Sequence, residues 1–160
     1  MLEGTITKMV WKYLQGEGWE IIGIHYPGAT GGLYFHHYAR NEKGARGAFI
    51  VDIVAKKEQF VLFIESKVRY DAKDIEKLET LTTDEAYRHS VVRALGVEND
   101  TPLVLLRGIA VEYIDLARVH LPPRFFVFVC RANRVEITGT YPQAEGQNIF
   151  ARYRAGEACT

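Results

Sequence analysis

Asp52, Glu65 and Lys67 are the residues of this chain whose types and spacing best fit a chemical role. They lie in two short apolar runs, Ala48 to Ala55 and Phe60 to Lys67, which are rich in β-branched and aromatic residues. That is the composition of strands buried on at least one face. Charged groups in such strands are expensive to desolvate unless they hold a cation or one another. Two carboxylates and an ammonium converging on one face is what metal-assisted phosphodiester hydrolysis needs. The acids hold a divalent ion, the ion lowers the pKa of a bound water, and the ammonium steadies charge developing on the phosphate. Mg²⁺ (or Mn²⁺) is the ion expected, because it takes one or two carboxylates and keeps waters and a substrate phosphate for the remaining positions.

Strand geometry decides whether the three residues meet. Side chains alternate faces, so Glu65 and Lys67 share one and the Ser66 side chain points away. The backbone carbonyl of Ser66 is a further candidate metal ligand. A two-residue turn at Lys57-Glu58, or a four-residue turn from Lys56 to Gln59, sets Asp52 opposite Phe63. Asp52 is then diagonal to Glu65 on the same face, with Cα atoms roughly 7 to 8 Å apart. A three-residue turn would flip the parity and separate the acids.

The surrounding elements follow from periodicity and punctuation. Thr5 to Leu14 carries Ile6, Met9, Val10, Tyr13 and Leu14 at helical spacing, with Gly16 and Gly18 as stop signals. Trp19 to Tyr26 reads as a strand, and Leu33 to Ala39 as a short one followed by a basic, glycine-flanked loop. Asp71 caps a helix running to about Leu81, and Thr83 or Asp84 starts another that ends at Leu95-Gly96. Pro102 to Val111 is a strand. Arg124 to Arg131 and Arg134 to Thr140 form a hairpin turning at Ala132-Asn133. The stretch after Pro142 gives no clear pattern. Interleaved helices and strands predict a mixed central β-sheet flanked by helices, of the α/β (α+β) class.

The 160 residues, 48% hydrophobic and 25% charged, fit one globular domain over residues 1–160. No apolar run approaches the roughly 20 residues that span a bilayer, so no membrane partner is expected. Cys130 and Cys159 do not make a disulfide framework, and with no secretory leader pattern the expected location is cytoplasmic. Neither cysteine has a partner at zinc spacing, and Gly28 to Gly32 lacks the lysine and hydroxyl of a phosphate loop. Lys plus Arg equals Asp plus Glu at 20 each, unlike a dedicated DNA-binding domain, which is usually basic. The local candidates for phosphate contacts are Arg40, Lys43 and Arg46 in the basic loop, and Lys73 and Lys77 one helical turn apart.

With Asp52 on one strand and Glu65-Ser66-Lys67 on the next, the chain resembles the PD-(D/E)XK nuclease superfamily, with Val51 standing in for the motif's proline. The run from Val51 to Ala55 leading to Phe63 to Lys67 resembles archaeal Holliday-junction resolvases in particular, as does the short opening helix followed by Gly18-Trp19 and a strand. The resemblance implies a restriction-endonuclease-like fold: an αβββαβ core from about Glu3 to Val111, here followed by the C-terminal hairpin. It also implies an endonuclease-like hydrolase acting on DNA, with Asp52, Glu65 and Lys67 catalytic. Many such proteins carry another acid on the first helix. Glu3 is the candidate by order, while Glu17 and Glu20 lie past the helix end. A homodimer is expected by the same resemblance, with Phe125, Phe126 and Phe128 available either to that interface or to the core. The alternative is a catalytically inactive nuclease-fold protein acting as a nucleic-acid-binding or protein-assembly module.

Overall fold

The structure is a computed structural model that describes residues 1–25, 32–38 and 47–156. Ile6, Val10 and Leu14 recur on one stripe of helix α1 (Glu3–Gly16) and are fully buried. The helix begins two residues earlier than the apolar pattern predicts, which puts Glu3 in its first turn. Strand β1 (Glu20–Ile24) follows. The expected strand from Leu33 is reduced to β2 (Tyr34–Phe35), paired in a separate ribbon with β3 (Phe49–Ile50).

The run Ala48 to Ala55, expected as one strand, is broken at Val51-Asp52, so β3 ends and β4 (Ile53–Lys57) begins on either side of the acid. The main sheet then takes β5 (Phe60–Lys67), β6 (Val104–Val111), β7 (Phe125–Arg131) and β8 (Arg134–Gly139), in the order β1-β4-β5-β6-β7-β8. β1, β4 and β5 are antiparallel, β6 and β7 run parallel to β5, and β8 returns antiparallel. The last hairpin turns at Ala132-Asn133, as read from the sequence.

The β4–β5 turn differs from expectation. Lys57 pairs with Phe60 and Ile53 with Ile64, so the two-residue turn is Glu58-Gln59. Glu58 takes left-handed backbone there, with φ 54°. No glycine or asparagine marks this turn, so composition alone did not fix its place. The count shifts by two and the parity survives. Continuing the ladder past Ile53 and Ile64 sets Asp52 opposite Glu65 rather than diagonal to it.

Each face of the sheet is covered. Leu62, Ile64, Phe126 and Phe128 pack toward α1. Val61, Phe63, Val127 and Val129 pack toward α2 (Ala72–Thr83) and α3 (Arg88–Leu95), which are joined by a 3-10 turn at Glu85–Tyr87. Asp71 caps α2 by accepting from the Lys73 N–H at 2.9 Å, and Gly96 closes α3 in left-handed backbone, φ 65°. Phe125, Phe126 and Phe128 are fully buried. Of the two roles expected for them they take the core one, each contributing about 1.5–3 kcal/mol by burial.

The stretch after Pro142 forms α4 (Gln143–Ile149), which the sequence did not reveal. Phe150 stacks on Trp19 at 5.4 Å, and the Tyr153 hydroxyl donates to the Tyr141 carbonyl at 2.8 Å. The chain then runs along β8, with the Arg154 N–H on the Ile137 carbonyl and the Gly156 N–H on the Gly139 carbonyl. Cys130 is buried in β7, and Cys159 lies outside the described residues. No described helix is long and apolar enough to cross a membrane.

Candidate active site

The break before β4 is where the site is built. The Asp52 carbonyl accepts from His25 N–H at 2.7 Å, extending the pairing with β1. Its side chain turns the other way: Oδ2 accepts from the Ser66 N–H at 2.8 Å. A carboxylate thus takes the β5 amide just beyond the last paired residues, and Asp52 is held against the strand that carries Glu65. Alternation places Glu65 and Lys67 on the α2 face of β5 and the Ser66 side chain on the α1 face.

Glu65 is 3% exposed, the one charged residue that is buried among the described residues. Its Oε1 lies 2.6 Å from Lys77 Nζ, and that same ammonium donates to the Ile50 carbonyl at 2.9 Å. Lys67 Nζ sits 3.8 Å from Glu3 Oε1 and 3.9 Å from Asp74 Oδ2. Asp74 also lies 4.0 Å from Lys77, three residues further along α2. The first turns of α1 and α2 therefore close over the C-terminal end of β5. Glu3, Asp52, Glu65 and Asp74 gather there with Lys67 and Lys77, leaving an excess of negative charge when all are ionised.

The electrostatics follow. Burial, reinforced by Asp52, pushes the Glu65 carboxyl up to about 8 against the opposing pull of Lys77. Asp52 is raised by burial, opposed by the Ser66 N–H and reinforced by Glu3. Asp74 is likewise raised by burial, with Lys67 and then Lys77 opposing. Burial pulls Lys67 down, but Asp74, Glu3, Glu65 and Asp52 outweigh it, and its ammonium is held above the ordinary value. Acids that raise one another's pKa are relieved by a shared cation.

The expected residues fare differently. Asp52, Glu65 and Lys67 lie at one end of the sheet as the spacing required, and Glu3 joins them through Lys67. Glu17 is at the other end of α1, where its carbonyl accepts from Lys57. Lys77, read as an outward phosphate contact, points inward onto Glu65. Lys73 is exposed and joins none of the ion pairs of the cluster. Arg40, Lys43 and Arg46 lie outside the described residues.

Asp74 is the residue the sequence reading missed. Its partners at 73, 76 and 77 made it look like part of a solvated helix face. The usable signal was position: α2 starts five residues after Lys67, so its first turn must lie near the end of β5.

The donor set is all oxygen, two carboxylates on adjacent strands, and suits a hard divalent ion with water and phosphate completing its shell. Among the described residues, no three His, Cys, Asp or Glu side chains stand together as a ready ligand group. No family model, curated protein or solved structure matches the chain. The chemistry of the site is therefore read from its own geometry.

Proposed function

We propose that the chain is a divalent-metal-dependent phosphodiesterase acting on DNA, built on the restriction-endonuclease-like plan. One observation carries the reading. The break before β4 leaves Asp52 bonded through Oδ2 to the Ser66 N–H, beside the strand that carries Glu65 and Lys67. The topology supports it: an opening helix, three antiparallel strands, a helical crossover and a parallel fourth strand follow the αβββαβ order.

Asp52 and Glu65 are the residues that would hold Mg²⁺ or Mn²⁺, which when bound acidifies a water and neutralises phosphate charge. The protein's own groups do the rest. Ser66 N–H fixes the Asp52 carboxylate. Lys67, 34% exposed at the rim and kept charged by four acids, meets the phosphate or orients the attacking water. The test is incubation with supercoiled, linear and branched DNA in Mn²⁺, for the wild type and Lys67→Ala. Metal-dependent cleavage that Lys67→Ala loses supports the reading. No metal-dependent cleavage of any substrate sinks it in favour of a non-catalytic module.

A further inference from the structure

Lys77 occupies a position that an outward phosphate contact would not. Its Nζ lies 2.6 Å from Glu65 Oε1 on β5, 2.9 Å from the Ile50 carbonyl on β3 and 4.0 Å from Asp74 Oδ1 on α2. An ammonium has three donors and no acceptor, and here it meets oxygens from three separate elements. Two carboxylates and a backbone carbonyl are also the oxygen types that a hard divalent cation takes. Lys67 is placed differently, at 3.8 Å and 3.9 Å from Glu3 and Asp74. The two lysines therefore have separate stations: one over the buried acid, the other at the rim.

The Lys77 side chain is 22% exposed and stands on a flexible four-carbon stem, so it can leave Glu65 without α2 unfolding. Asp74, one turn earlier on the same helix, is a counter-ion for it to fall back on. From this geometry we propose that Lys77 is a resident cation: its ammonium holds Glu65 in the metal-free protein and releases it when a divalent ion binds. Lys77 is thus a positioning residue that works through Glu65 and sets how readily the site loads. The inference rests on the proposal that Asp52 and Glu65 hold a metal, and it adds a competitor for one of those ligands.

Manganese affinity, measured by the electron paramagnetic resonance of free Mn²⁺ at a pH above about 8, where Glu65 is ionised, tests it. The proteins are the wild type, Lys77→Met and Lys77→Gln, each checked for folding by circular dichroism. The glutamine variant keeps a donor on the same helix face without the charge. If Lys77 competes with the ion, the substitutions tighten Mn²⁺ binding by about tenfold, the scale of one hydrogen bond to a charged group. If Lys77 is only a structural tie, Glu65 loses its anchor and Mn²⁺ binds equally or more weakly. That result, in a wild type that binds Mn²⁺, overturns the inference and leaves the metal site standing. Absence of Mn²⁺ binding in all three proteins removes the metal site and the inference with it.

Discussion

The backbone N–H of Ser66 donates to Oδ2 of Asp52 at 2.8 Å, across the point where the β4–β5 ladder ends. One hydrogen bond therefore connects the strand break to the strand bearing Glu65 and Lys67. It also fixes an acid whose own burial disfavours its charge. A residue so placed costs the fold something.

Asp52→Asn keeps an acceptor for Ser66 and removes the disfavoured charge. Cleavage should fall by about a hundredfold or more, as when an electrostatic contact to the reacting centre is lost. The melting temperature of the metal-free protein at neutral pH should meanwhile rise. Calorimetry alongside a cleavage assay reads both. A fall in both would mark Asp52 as a structural residue.

Glu65 gives the metal-free protein a pH dependence of known sign. Its carboxyl moves from 4.5 to about 8 in the fold. Within that window the folded chain retains a proton that the unfolded chain releases. The associated stability is complete below 4.5 and drains away as pH rises through about 8. Urea midpoints should fall across the window and flatten in Glu65→Gln. Metal binding should release protons there, because the ligand must be ionised.

Lys67→Ala should leave folding nearly unchanged. The side chain is about one-third exposed and its ion pairs are long, at 3.8 Å and 3.9 Å, so they contribute less than about 1 kcal/mol. Mn²⁺ affinity should persist while the cleavage rate drops on the order of a hundredfold. Binding and single-turnover measurements together separate the two effects.

Gly146→Ala tests the C-terminal packing rather than the site. A Cβ at Gly146 would run into the Tyr153 ring, which is fully buried. The substitution should destabilise by about 1–3 kcal/mol, the usual cost of overpacking. Thermal melts would show it, with Mn²⁺ affinity intact.

Much of the framework was legible in residue patterns. The stripe of Ile6, Val10 and Leu14, the cap at Asp71 and the turn at Ala132-Asn133 are local signals with local causes. The face shared by Glu65 and Lys67 follows from alternation alone. What stayed hidden depends on contacts distant in sequence. The turn at Glu58-Gln59 lacks glycine or asparagine, so its place could not be read from the local residues. At the Asp52 break the carboxylate takes the Ser66 N–H, a contact no composition reveals. α4 carries no side-chain cap, and Tyr153 docks against Tyr141 and Phe126 to complete the core around it. Lys77 and Asp74 read as surface charges because helix periodicity cannot show that α2's first turn lies over β5.

The central claim is that Asp52 and Glu65 together hold a divalent ion. Counting bound Mn²⁺ by paramagnetic resonance in the wild type and in Asp52→Ala tests it most directly. The account predicts one tightly held ion per chain in the wild type and its loss in Asp52→Ala, with the fold intact by circular dichroism. Equal binding by the two proteins, or no binding by the wild type, would contradict it.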